Sequence, residues 1–399
     1  GGQRISEPVT VQYWSIFGGP EGQRMTEIGQ KYMQETPLVT VDAVHGAPDA
    51  PTKMVAAAAA GNPPDVVGIR HIYAGPFAER NVLSDLAPRE LQQAALRPED
   101  FDPTVWRASE YKGKRYTVPF DIHGYMLLYN EPLTRELGAD PARPPATWSA
   151  WQEWTARLTQ PGRTGTYFDV AGEGLVRTFY GFLKQAGGSF FSPDETKVTV
   201  NGPPGVEALE LMTDVYQRAG LANVTEGPQP LFETRRLASW VAGSFQLNRL
   251  RGTGQLPFED LRIVLYPQKN LAAPAWWAQS HQLGLPRPAR PDEKRRAAAF
   301  HLVRWLTEHP MDWSLAGFLP ASRKVLASEA YQKSTDPVIA NLKTWEKHLA
   351  AAAFLPPNPR YLEAPPAVAA ALLGSLQRNL AVRPALAEIE QALTVMLQS

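Results

Sequence analysis

The chain has 399 residues, too many for one ordinary hydrophobic core, so its length implies two domains. Forty basic and forty acidic side chains cancel to a formal net charge of zero, without the basic excess of a nucleic-acid-binding protein. Cysteine is absent, which excludes disulfides, thiolate metal sites and cysteine nucleophiles together, while 44% hydrophobic and 10% aromatic content supplies a sizeable core.

No apolar run approaches the roughly 20 residues of a membrane helix. The opening Gly1-Gly2-Gln3-Arg4 lacks an initiator methionine and reads as a mature or engineered start. On that reading any targeting segment or lipid-bearing cysteine lies upstream. Val9 to Trp14 alternates like a strand and runs into a Gly18-Gly19-Pro20 turn. A helix is expected over 21–34, a strand over 38–42, a helix over 52–60 and a strand from Asp65 to Gly68. Strands alternating with helices imply a mainly parallel α/β sheet, whose ligands sit beyond the carboxyl ends of the strands. Trp14, Arg70 and His71 are expected just past such ends.

The most informative stretch follows. Tyr116-Thr117-Val118 and Met126 to Tyr129 read as two short strands, joined by a polar elbow that carries Asp121 and His123. Polar groups between buried flanks need partners, from the protein or from a ligand. Beyond the elbow, Trp148, Trp151, Trp154 and Leu158 recur at helical spacing, which core packing explains fully. Helices are expected over 179–186, from Pro203 to Arg218, over 294–307, 366–373 and 384–397, with strands at 237–241 and 261–266.

These landmarks together resemble the extracellular solute-binding proteins of bacterial ABC importers, in the carbohydrate-binding family that includes maltose-binding protein. Ala60 to Val67, Val118-Pro119 through Tyr129-Asn130, Pro144 to Trp148, Phe232 with Leu237-Ala238 and Gly243, and Ala316-Gly317-Phe318-Leu319-Pro320 carry the resemblance, in order over most of the chain. It implies an α/β, two-lobe periplasmic-binding-protein-like fold with a hinge and a ligand cleft between the lobes. The first lobe would hold residues 3–118 and 268–320, the second 119–267 and 321–399. One departure stands out: where many relatives carry paired glycines, this chain reads Ala275-Trp276-Trp277-Ala278.

A sugar offers apolar faces and a fringe of hydroxyls, matched by aromatic plates and by Asp, Arg and His. Trp14, Phe245, Trp276, Trp277 and Tyr361 are the candidate plates; adjacent Trp276 and Trp277 in an extended segment would place at least one in the cleft or at a surface. Asp121, His123, Arg70, His71, Arg177 and Arg360 are the candidate polar contacts.

There is no His-Glu-x-x-His, Gly-x-Ser-x-Gly or phosphate-loop motif, and the seven histidines lack metal-ligand spacing, so neither catalysis, metal nor cofactor is expected. The expectation is a monomeric importer receptor for a sugar or small oligosaccharide, periplasmic or lipid-anchored, delivering to ABC permease transmembrane subunits. A receptor for glycerol 3-phosphate or a glycerophosphodiester is the alternative, which converging Arg70, Arg177 and Arg360 would favour. A carbohydrate-active enzyme is a second alternative, requiring a paired-carboxylate cleft.

Overall fold

The computed structural model describes residues 4–399. Eleven strands matter here, in chain order: β1 Val9–Ser15, β2 Val39–His45, β3 Val66–Arg70, β4 Thr117–Pro119, β5 Asp121–Asn130, β6 Ser239–Gly243, β7 Leu261–Val264, β8 Trp276–Gln279, β9 His281–Gly284, β10 Leu319–Pro320 and β11 Ala352–Phe354. The chain folds as two compact α/β units. The first takes residues through His123, then Gln279–Ile339 and Phe354–Leu362; the second takes Gly124–Ala278, Ala340–Ala353 and Glu363–Ser399. The expected lobes broke at 118/119, 267/268 and 320/321. In the structure the first break falls inside β5 and the second at the end of β8, because β4 and β9 pair in the first unit's sheet.

In the first unit a five-stranded sheet runs β2-β1-β3-β9-β4. β1 pairs parallel with β2 and β3, whereas β9 runs antiparallel to both β3 and β4. The parallel trio alternates with helices Gly19–Glu35 and Ala50–Ala59, each packing a stripe such as Met25, Ile28 and Tyr32 onto the sheet. The Gly18-Gly19-Pro20 segment is the start of the first helix rather than a turn. Pro20 stands in the first helical turn, where its missing N–H costs nothing and its fixed φ suits the helix.

A buried polar network stitches β9 to its neighbours. The Gln282 side-chain carbonyl accepts from Ser109 Oγ (2.9 Å) and Thr117 Oγ1 (3.0 Å), while its amide donates to Ser280 Oγ (2.7 Å). Ser280 Oγ donates in turn to the Asp121 carbonyl at 2.6 Å. Every partner is satisfied, so the network fixes register without the penalty of an orphaned polar group.

In the second unit β6 and β7 both run antiparallel to β5. Helix Trp148–Leu158 buries Trp151, Trp154 and Leu158, as its spacing predicts. Helices Gly172–Gln185, Pro203–Arg218, Pro366–Leu376 and Val382–Gln398 pack on one another beside it. Among the described residues no helix is long and apolar enough to cross a membrane.

Candidate functional site

The expected elbow is not an elbow. After a break at Phe120, Asp121 and His123 lie inside the ten-residue strand β5, whose every residue is buried. Two consecutive strand residues point to opposite faces, so Asp121 and His123, two apart, share one. Antiparallel β10 pairs with this end of β5, Pro320 opposite Asp121.

Asp121 is fully buried and its carboxylate accepts four hydrogen bonds. Oδ1 accepts from the His281 backbone N–H (2.9 Å) and faces His123 Nδ1 (3.0 Å); Oδ2 accepts from Trp313 Nε1 (2.6 Å) and faces His281 Nδ1 (2.7 Å). A carboxylate offers about four lone-pair sites, and all are in use. Burial works to raise the Asp121 pKa, but the His281 and His123 imidazoles outweigh it and hold the carboxyl below the usual carboxylate range. Asp121 is therefore an organising group, its carboxylate engaged by four partners from the protein itself.

The rings around it are tightly arranged. The His123 and His281 imidazoles stack with centroids 4.4 Å apart. Phe17 meets His281 edge-on at 4.9 Å, and Phe318 stacks on Trp313 at 4.8 Å. His123 also approaches Gln279 Oε1 through Nε2 (3.2 Å); burial pushes its pKa down, with Asp121 pulling it back. Donor atoms of Asp121, His123 and His281 lie within 4.8 Å of one another, the spacing of a metal ligand set. Here that spacing is already spent on hydrogen bonds to the carboxylate.

This cluster lies at the carboxyl end of the parallel strands, where ligands meet open sheets. Ser15 ends β1, Arg70 ends β3, and His281 sits opposite Arg70. Ser15 Oγ is 2.7 Å from His45 Nδ1, and burial lowers the His45 pKa to about 4. His71 follows β3 as expected but is structural. It is buried, its Nε2 donates to the Leu355 carbonyl (2.8 Å), and its Nδ1 accepts from the Ser280 N–H (3.4 Å). Arg70 is half-buried and donates to Tyr73 Oη at 3.0 Å. Trp14 lies within β1 rather than past it, half-buried on the face opposite Tyr13 and Ser15. Arg360 is exposed, whereas Tyr361 is buried under its loop.

In the second unit Trp276 and Trp277 are both buried, contrary to the alternation argument, because β8 is covered on both faces. Trp276 packs on Trp345 (4.5 Å) and donates Nε1–H to the His348 carbonyl (2.8 Å). Trp277 meets Tyr125 edge-on at 4.9 Å and lies under the Arg177 guanidinium, also 4.9 Å away. Tyr125 Oη donates to Asp169 Oδ2 (3.0 Å), and burial raises the Asp169 pKa. Phe245 is half-buried at the N-terminus of helix Gln246–Thr253, its ring against Gly243 and the Arg249 guanidinium.

Two groupings result: Asp121, His123, His281, Trp313 and Phe17 in the first unit, and Tyr125, Asp169, Arg177 and Trp277 in the second. Sequence reasoning missed His281, Trp313, Phe17, Tyr125 and Asp169. The one available signal was the polar run Gln279-Ser280-His281-Gln282 between apolar flanks.

Two α/β units, with polar and aromatic groups gathered at the carboxyl end of the first unit's parallel strands, define a ligand-binding protein of the open-sheet class. Residues 18–311 match the model of the bacterial extracellular solute-binding protein family, and the chain belongs to that family. It is 22% identical over 364 residues to a maltotriose-binding protein of Pyrococcus abyssi, covering 88% of this chain and 74% of that protein. Its fold is similar to a cyclic α-maltosyl-1,6-maltose-binding protein of Arthrobacter globiformis (TM-score 0.80, 24% identity, covering 98% of this chain and 99% of that one). It is equally similar to UgpB of Mycobacterium tuberculosis, solved with glycerophosphocholine (TM-score 0.80, 21% identity, 98% and 99% covered).

Proposed function

We propose that this chain is the substrate-binding component of a bacterial ABC importer, taking up a sugar or small oligosaccharide and passing it to the importer's membrane permease. The observation that carries the sugar is the likeness, over 88% of the chain, to a maltotriose-binding protein. The chemistry agrees with it. Half-buried Phe245 offers a ring, half-buried Arg177 and Asp169 offer charged hydrogen-bonding groups, and His281 offers an imidazole at the strand ends. Hydrogen bonds to charged groups contribute about 1.5–3 kcal/mol each, so a few of them with one stacked ring suffice for a micromolar site at about −8 kcal/mol.

A glycerol-phosphate ligand is the second reading, favoured by the likeness to UgpB and by the half-buried Arg70 and Arg177. It is the weaker of the two. Arg177 shares its surroundings with the Asp169 carboxylate, which opposes a further anion, and Arg70 is engaged by Tyr73. The family's binding role supports a reading without turnover; incubation with oligosaccharides should return them uncleaved.

The test is thermal stability against mono- and oligosaccharides, maltotriose included, with sn-glycerol 3-phosphate and glycerophosphocholine alongside. A ligand that binds only the folded state raises the melting temperature according to its concentration over Kd. A rise with a neutral sugar supports the reading. A rise only with the phosphates transfers it to the second, and a flat panel overturns both.

A further inference from the structure

The Asp121 cluster contains one group whose chemistry is unspent. Of the three rings that hold the carboxylate, Trp313 and His123 are buried, whereas the His281 side chain keeps 12% of its surface exposed. Its Nδ1 is committed to Asp121 Oδ2 at 2.7 Å and its backbone N–H to Asp121 Oδ1 at 2.9 Å. Its Nε2 has no hydrogen-bond partner among the described residues, and it is not among the sealed orphan atoms of the interior. The ring cannot turn to offer Nδ1 instead, being stacked on His123 and met edge-on by Phe17.

In the neutral imidazole, donation from Nδ1 to a carboxylate leaves Nε2 as the acceptor. From this geometry we infer that His281 is a ligand-contacting, specificity-determining residue whose Nε2 accepts a hydrogen bond from a ligand hydroxyl, and that Asp121 is the positioning residue that fixes its tautomer. Trp313 and the His281 backbone hold Asp121 itself in place, so the carboxylate cannot rotate away from the ring. The inference rests on the sugar reading above and narrows it: the ligand presents an O–H donor to this imidazole. A fully ionised phosphate oxygen has no proton to give and would face a lone pair.

The experiment uses ¹⁵N-histidine-labelled protein and long-range ¹H–¹⁵N correlation spectra, with the neutral sugar giving the largest stability rise in the panel. Without ligand, the His281 spectrum should show a protonated Nδ1 and an unprotonated Nε2. Asp121→Asn replaces one accepting oxygen by a donating N–H in a cluster of donors and should let the Nε2-protonated form of His281 appear, a spectroscopic change that a merely structural role for Asp121 would not produce. Addition of the sugar should move the Nε2 resonance. His281→Ala should weaken binding at least tenfold, Asp121→Asn by a similar factor, and the double variant no more than either alone, since both act through one atom. His281→Phe, which keeps the ring packing, guards against loss of folding and should bind as weakly as the alanine variant.

A sugar that binds without moving Nε2, or with His281→Phe at full affinity, overturns this inference and leaves the sugar reading intact. An Nε2-protonated wild type overturns it before any ligand is added. A panel with no neutral-sugar binder overturns both, and the thermal-stability data identify that case.

Discussion

His281 and Asp121 are 160 residues apart in sequence and joined twice, through the His281 backbone N–H at 2.9 Å and through its Nδ1 at 2.7 Å. The paired contacts tie the first residue of β9 to the first residue of β5. One side chain thus fixes both the register of the chain's return and the orientation of an imidazole at the sheet's carboxyl end.

Replacing Asp121 by alanine leaves two imidazole nitrogens, an indole N–H and a backbone N–H without their acceptor. Removing one partner of a buried charged network costs about 3–5 kcal/mol. Asp121→Asn retains one oxygen and should cost roughly half as much, since a buried donor left unpaired costs about 1–3 kcal/mol. Urea denaturation measures both. A loss below about 1 kcal/mol for Asp121→Ala would show that the four bonds do not hold the carboxylate as described.

Acid sensitivity follows from buried His71 and half-buried His45. Burial lowers the His71 pKa to about 3 and that of His45 to about 4, from an ordinary value of 6.5. Across that window the unfolded chain binds more protons than the folded one, so stability rises with pH and is lost as pH falls. Each group contributes at most about 1.4 kcal/mol per pH unit. Asp121 acts with the same sign at lower pH, its depressed folded pKa giving stability that is lost as the carboxyl protonates. Denaturation midpoints measured from neutral pH down into this window should fall steadily, and His71→Gln should flatten the slope. An unchanged slope in that variant would remove His71 as a cause.

Gly124 lies on β5 against its neighbour β8. A Cβ there would stand 2.2 Å from the Trp277 carbonyl oxygen and 2.5 Å from the Trp276 ring. Neither can retreat, since Trp277 O belongs to the backbone and Trp276 is wedged against Trp345. Gly124→Ala should therefore destabilise by about 1–3 kcal/mol, the usual cost of overpacking. Near-UV circular dichroism should report the disturbed indoles, and a variant of wild-type stability with an unaltered spectrum would contradict the packing.

What the sequence made legible was periodicity. The strand–helix alternation through Gly68 and the Trp151–Trp154 stripe both follow from spacing, because one buried face repeats at 2 or 3.6 residues. Trp276 and Trp277 misled for the same reason: alternation assumes one wet face, and β8 has none. Asp121 was singled out correctly as a polar group needing partners, but those partners, His281 and Trp313, lie 160 and 192 residues further on. No local pattern encodes such pairings. His71 shows the converse, a histidine placed as foreseen just after a strand yet occupied by the Leu355 carbonyl, which only the folded chain brings near.

The second unit carries its own test in Tyr125. Its hydroxyl donates to Asp169 Oδ2 at 3.0 Å, beside the Arg177 guanidinium that covers Trp277. Burial raises the Asp169 pKa, while this hydroxyl and Arg177 pull it back down. Tyr125→Phe removes one of the two opposing influences, so the Asp169 titration should move further up, followed by carboxyl ¹³C shifts. A folded pKa above the unfolded one favours the folded state only while the group stays protonated. Stability should therefore fall as pH rises through the carboxylate range, more steeply in the variant than in the wild type. At neutral pH the lost bond should cost about 1.5–3 kcal/mol, the range for a hydrogen bond to a charged group. If the Asp169 titration stays where it is, the hydroxyl is not its donor, and the carboxylate would be held by Arg177 alone.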